Sequence, residues 1–294
     1  MGVDGGYTED DVKQAAKLLS GMQVEWATKA VAFNPKRHYV GAIKVMSFSH
    51  PNDSAEQGAT AAREFYEYLA FHPSTAKHLA TKLARRFVSD EPSAALISNL
   101  ASVYLNNDTQ IVPVLKALFA SEEFLKSSGL KLRRPMEHLA AVTRVAGVKH
   151  GNSQQALFDF VWALNGSGHL PLSQVTPDGY PDTAADWQAA GKALTQYSMS
   201  RALVNGYWPE KLTYPGVLTL IDSSETAVTP EVLSDQVCTR VFGRTATALE
   251  KSAITTLLSG PNAKSPLKVG STQQTAAISA VTVLLMQSPA FLTR

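Results

Sequence analysis

The chain holds a single cysteine, Cys238. A lone thiol excludes an intramolecular disulfide framework and any zinc site built on cysteine pairs, and it leaves the redox compartment open. Long apolar runs are missing too. The strongest, Ala276–Met286, covers about half of the roughly 20 residues that a helix needs to cross a bilayer, so no membrane span is expected. Charge is scarce: only 18% of residues carry one, and 27 Lys and Arg stand against 25 Asp and Glu for a net +2. No bulk field therefore draws the protein to nucleic acid or anionic lipid, and any such binding would need a local cluster. The chain contains no G-x-S-x-G elbow, no phosphate-binding P-loop, no dinucleotide glycine fingerprint and no two-histidine zincin pair. Those absences remove the commonest hydrolase, NTPase, dehydrogenase and metalloprotease readings, and no metal site or cofactor is expected. The opening residues MGVDGGYTEDDV lack the basic and apolar regions of a secretory signal.

What is present is helix. The 294 residues, 45% of them hydrophobic, can bury a substantial core and are too apolar for a disordered chain. Thr8 stands three residues ahead of Asp11 in a variant of the capping box, followed by Val12, Ala15, Ala16 and Leu19 at helical spacing and a stop at Gly21. Similar periodicity predicts helices over 61–71, 75–88, 93–105, 109–119, 135–147, 153–164, 184–203, 230–242, 246–258 and 272–287. Pro135 and Pro230 occupy first-turn positions, where a missing N–H costs nothing. The stretch Phe33–Phe48 lacks helical period and reads as loop with a short hairpin at most. Connections over 22–57, 165–182 and 204–228 are long, and loops of that length often carry function. The expected fold is all-α, a multi-helix bundle with little or no β structure, forming one domain with lobes near 1–150 and 151–294. Leu118–Leu125 and Leu285–Leu292 echo each other as helix end, serine-capped turn and Phe-Leu, which shared capping logic explains.

Three constellations could carry chemistry. In His72–Pro92, Leu79, Leu83 and Phe87 make a core stripe, while His78, Lys82 and Arg85 or Arg86 stack about a turn apart on another face. Such a column attracts phosphate, sulfate or a sugar carboxylate, or else serves as a solvated or salt-bridged face. Asp90 and Glu91 then end the helix. A second basic knot, Lys131–Pro135, opens the helix that runs on to Arg144, where a helix N-terminus adds partial positive charge. Third, Pro177-Asp178-Gly179-Tyr180-Pro181 followed by Trp187 is a turn flanked by aromatic rings, suited to covering a sugar face or to pinning the loop onto the core. The histidines (His38, His50, His72, His78, His138, His150 and His169) form no ligand pair.

Taken together, the blocks Val3–Gly21, His72–Pro92, Ala117–Leu125, Lys131–His138 with Arg144, and Pro177–Trp187 resemble a known family, the bacterial domain of unknown function 1800. They occur in order and span nearly the whole chain. Where that family tends to read His-Asp before a glycine and a lysine, this chain has His38-Tyr39-Val40-Gly41-Ala42-Ile43-Lys44. The resemblance implies a longer domain with a further helical half ahead of Val3, so the chain is expected to correspond to its C-terminal part. It also implies export to the envelope or beyond, and genes for sulfatase-like proteins nearby. No established activity accompanies it.

Three readings follow. The first is an envelope-associated or secreted protein that binds an anionic glycan or a protein partner, such as a sulfatase-like protein, through Lys82, Arg85, Arg86, Lys131, Arg144, Tyr180 and Trp187. The second is an exported polysaccharide hydrolase or lyase with His72, Asp90 and Asp178 as acid–base groups. The third is an inactive truncated fragment. An acid and a base converging in one cleft of about 300 Å³ or more would favour chemistry.

Overall fold

A computed structural model describes residues 2, 5–149, 151–176, 178–221, 227–259, 267–268 and 270–294. Val3, Asp4, His150 and Pro177 lie outside the described residues. The chain divides into two compact units, Met1–Lys126 and Ser127–Arg294. The division falls ahead of the lobe boundary near 150, because the helix that begins at Pro135 packs within the second unit.

Unit 1 opens with α1 (Glu9–Leu18), capped by Thr8 as its sequence predicts. Two antiparallel hairpins follow: β1 (Met22–Glu25) with β2 (Ala30–Phe33), and β3 (Ile43–Val45) with β4 (Phe48–His50). The 22–57 connection is thus built rather than irregular. Leu18 of α1 joins Ile43, Val45, Ala61 and Phe65 in a small core beneath the second hairpin. The first hairpin leaves Trp26 and Val31 in solvent.

The rest of unit 1 is helical: α2 (Gly58–Phe71), α3 (Pro73–Phe87), α4 (Ala94–Asn106), α5 (Ile111–Phe119) and α6 (Glu122–Leu125). Its core differs from the expected stripe. Ala76, Ala80 and Ala84 of α3 are buried against Leu96, Leu100 and Tyr104 of α4, with Val114 and Leu118 of α5, while Leu79, Leu83 and Phe87 flank the contact partly buried. An alanine every fourth residue leaves a shallow groove on α3 into which the larger side chains of α4 fit.

Unit 2 comprises α7 (Pro135–Val145), α8 (Gln154–Gly166), α9 (Ala190–Asn205), α10 (Pro230–Phe242), α11 (Ala248–Ser259), α12 (Thr272–Leu285) and α13 (Pro289–Leu292), with a two-residue strand pair β5 (Ala227–Val228) and β6 (Leu267–Lys268). Leu139, Val142, Leu203, Leu233, Val237, Ile278, Met286 and Phe291 form its centre. The helix expected over 184–203 is interrupted: a 3₁₀ turn at Ala184–Trp187 precedes α9. The break lets Trp187 turn inward, where its indole N–H donates to the Pro181 carbonyl at 3.1 Å. At its far end the unit closes on itself. Leu132 bridges to Thr293, Arg133 N–H donates to Leu292 O at 2.7 Å, and Arg294 N–H donates to Lys131 O at 2.8 Å. The fold is mostly α, with only short antiparallel strands beside the helices. Among the described residues no helix is long and apolar enough to cross a membrane.

Candidate functional site

The carboxylate of Asp11 organises one end of unit 1. One oxygen closes the α1 cap by accepting from Thr8 N at 2.8 Å and Thr8 Oγ1 at 2.7 Å. The other accepts from the N–H of Met46 at 2.6 Å, at the turn between β3 and β4. The Met46 N–H, followed by the Thr8 donors, holds the Asp11 carboxyl below the usual carboxylate range. This link fixes the second hairpin against α1 and leaves an open cleft of about 540 Å³ between them. Asp10, Gln14, Lys44, Ser49 and His50 supply its polar lining, and Ile43, Met46 and Pro51 supply apolar surface.

Behind the cleft runs a chain of hydrogen bonds. His50 Nδ1 accepts from the N–H of Asn52 at 2.9 Å, so the ring directs its Nε2 toward Glu64, 3.6 Å away. Asn52 is buried and left-handed, with φ +47. Its amide nitrogen donates to Tyr39 O at 2.7 Å, which turns its oxygen toward His38 Nε2 at 2.8 Å. His38 Nδ1 lies 2.8 Å from Ser20 O. His38 is therefore an internal brace, and Tyr39 contributes its backbone carbonyl while its ring lies exposed beneath the ammonium of Lys17.

Of the residues proposed for acid–base chemistry, His72 and Asp90 lie at opposite ends of one helix. His72 caps α3, its Nδ1 accepting from Ser74 N at 3.1 Å, and its ring meets the edge of Tyr68. Asp90 follows the other end of the same 15-residue helix, roughly 20 Å along the axis. Asp178 belongs to unit 2, in an exposed turn. Of the α3 column, Arg85 is exposed whereas Lys82 and Arg86 are half-buried.

In unit 2 the second basic knot and the aromatic loop do converge, a juxtaposition that the sequence left as two separate features. Lys131 is buried and donates to Asp182 O at 2.9 Å, and Arg134 pairs with the Asp182 carboxylate at 2.7 Å. His169 lies 4.9 Å from the ring centres of both Tyr180 and Trp187, and Lys192 covers Trp187 at 4.6 Å. The polar ends of these rings are used locally, Tyr180 O–H donating to Leu170 O at 2.6 Å. Lys131, Tyr180 and Trp187 thus staple the 170–187 loop onto the mouth of α7. Arg144 is exposed in the last turn of that helix, about 15 Å from the mouth.

Among the described residues no group of three or more His, Cys, Asp or Glu could hold a metal ion. The cleft of unit 1 escaped sequence reading because Asp10, Lys44 and His50 meet only through the hairpin. Its one sequence signal was the His38–Lys44 segment, which braces and lines it. No curated protein and no solved structure matches the chain. A family profile described as "Protein of unknown function (DUF1800)" matches residues 1–293.

Proposed function

We propose, for a chain that belongs to the DUF1800 family of proteins of unknown function, that the cleft between α1 and the β3–β4 hairpin binds a hydroxyl-rich ligand, a segment of a glycan. The observation that carries this reading is the lining itself. Carboxylate, amide, ammonium, hydroxyl and imidazole groups surround one open cleft beside apolar surface. Sugars need such a mixture, with acceptors and donors for hydroxyls and apolar contact for ring faces. The lining carries both signs of charge, which suits a neutral or weakly acidic saccharide better than a polyanion. Export to the envelope, as for proteins the chain resembles, is the setting we propose for it.

A hydrolytic reading draws on the same cleft, since Asp10 and His50 share a volume larger than about 300 Å³. Binding is favoured over chemistry because two of the cleft's proton-transfer groups, Asp11 and the Nδ1 of His50, are already engaged. Asp11 is held by three donors, and the Nδ1 lone pair of His50 is occupied by Asn52 N–H. A base needs a free lone pair within reach of the proton it takes.

Thermal melts against neutral and acidic oligosaccharides test the proposal. A ligand at a hundredfold excess over its Kd stabilises by about 2.7 kcal/mol, and the shift is expected to vanish in the Asp10→Asn, Lys44→Ala double variant. No shift with any oligosaccharide, or a shift that survives in the double variant, would overturn the assignment. Release of reducing ends by the wild-type chain would favour the hydrolytic reading instead.

A further inference from the structure

The unit 2 helix α8 has more apolar surface than its own unit uses. Ala156, Phe160 and Leu164 face the core. On the opposite side Leu157 is 51% exposed, Phe158 55%, Val161 43% and Trp162 70%. A helix that is apolar around most of its circumference is normally covered on both sides. We propose that this outward stripe is a homodimer interface, formed when α8 packs antiparallel against α8 of a second copy of the chain.

Three features point to a second copy as the occupant. The first is register. A two-fold axis crossing the helix midway between residues 159 and 160 places Leu157 opposite Trp162 of the other copy and Phe158 opposite Val161. The same axis sets Gln154, at one end of the stripe, against Asn165 at the other. Large side chains meet smaller ones, and two neutral amides able to hydrogen-bond to each other close each end, so the face complements itself as an isologous contact requires. The second is charge. The only charged residue of α8 is Asp159, and at 100° per residue it points well away from the centre of the stripe. A symmetric pairing would otherwise juxtapose like charges. The third is area. The four side chains expose on the order of 450 Å² between them, taking ~150–250 Å² for each aromatic residue. Two copies would bury about twice that, and the polar rim brings the total to the ~1,200 Å² at the lower end of specific interfaces. That size implies a dimer that exchanges with monomer.

Sedimentation velocity on the intact chain over a wide concentration range tests the proposal. Wild type is expected to show a concentration-dependent monomer–dimer equilibrium. Trp162→Glu should weaken it at least ~30-fold, as loss of a central aromatic anchor does, with the thermal melt unchanged at concentrations where wild type is monomeric, because the side chain then lies in solvent. Leu157→Lys alone should be monomeric as well. Mixing Leu157→Lys with Trp162→Glu should restore dimers, since the antiparallel register sets the lysine of one copy against the glutamate of the other. A wild type that stays monomeric throughout, a dimer that survives Trp162→Glu, or a mixture that fails to reassociate would each overturn the inference.

Discussion

The side-chain oxygen of Asn52 lies 2.8 Å from Nε2 of His38, deep in unit 1 and 14 residues away in sequence. The same asparagine donates its backbone N–H to His50, so this buried pair sets the orientation of an imidazole on the cleft wall. Asn52→Ala would leave His38 Nε2 and the Tyr39 carbonyl without their Asn52 partners, and would replace asparagine by a residue that tolerates the left-handed backbone at φ +47 less well. A loss of about 3 kcal/mol in unfolding free energy is expected, most of it from unpaired buried groups. Asn52→Gly, which tolerates the left-handed backbone, should lose less. Urea denaturation of the two variants separates the contributions.

Asp10 and Asp11 are neighbours with different tasks. Asp11 is committed to the α1 cap and to Met46, so Asp11→Asn should lower the melting temperature and loosen the hairpin. Asp10→Asn should leave the melt unchanged and weaken saccharide binding. Melting curves paired with titration calorimetry distinguish these outcomes, and equal effects from both substitutions would remove Asp10 from the binding surface.

A pH dependence follows from His138. Ser200 Oγ donates to Gln196 O at 2.8 Å and accepts from Gln287 Nε2 at 3.1 Å, so His138 donates to it from Nε2. Nδ1 is buried with no partner. Burial first, and the nearby Arg133 second, push the imidazole down from 6.5 to about 4. Between those values the unfolded chain binds a proton that the folded chain does not. Stability is therefore complete above pH 6.5 and declines toward pH 4, by about 3 kcal/mol. His138→Gln should flatten that slope in denaturation curves recorded across the window.

Glu250 acts in a lower window. Arg244 donates to both of its carboxylate oxygens, at 2.7 and 2.8 Å, and Thr247 adds its N–H at 2.8 Å in a capping box for α11. The Arg244 bonds, followed by Thr247, lower the carboxyl from 4.5 to about 2. Its contribution is present above pH 4.5 and lost as pH falls through about 2. Because Arg244 is 43% exposed, solvent screening limits the contribution to about 1 kcal/mol. The stability gap between wild type and Glu250→Gln should close on acidification toward pH 2.

Helices were legible because their signals are local. Thr8 with Asp11, Thr229 before Pro230, and proline at the start of α7 each announce an end through residues within one turn. The alanine face of α3 was harder to read, since hydrophobicity ranks Leu79, Leu83 and Phe87 above the smaller residues that make the close contact. Strands of two to four residues are too short for alternation to register, so Phe33–Phe48 reads as loop with a short hairpin at most, and nothing in the sequence announces the β1–β2 pair. Basic residues stand out in a sequence, but nothing near Lys131 in the chain reveals that Asp182 lies against it. The cleft is legible only after the Asp11–Met46 hydrogen bond has joined segments 35 residues apart.

The pairing of Leu132 with Thr293 makes unit 2 nearly a ring. The segments around Leu132 and Thr293 lie side by side, so the order of elements around the core does not depend on where the backbone is cut. A permuted chain that joins these neighbours through a short linker and opens in the exposed 171–176 stretch should rebuild the same core. The seam at Lys131 and Arg294 would then run through continuous backbone, and its two main-chain hydrogen bonds would no longer have to wait for the most distant parts of the unit to find each other.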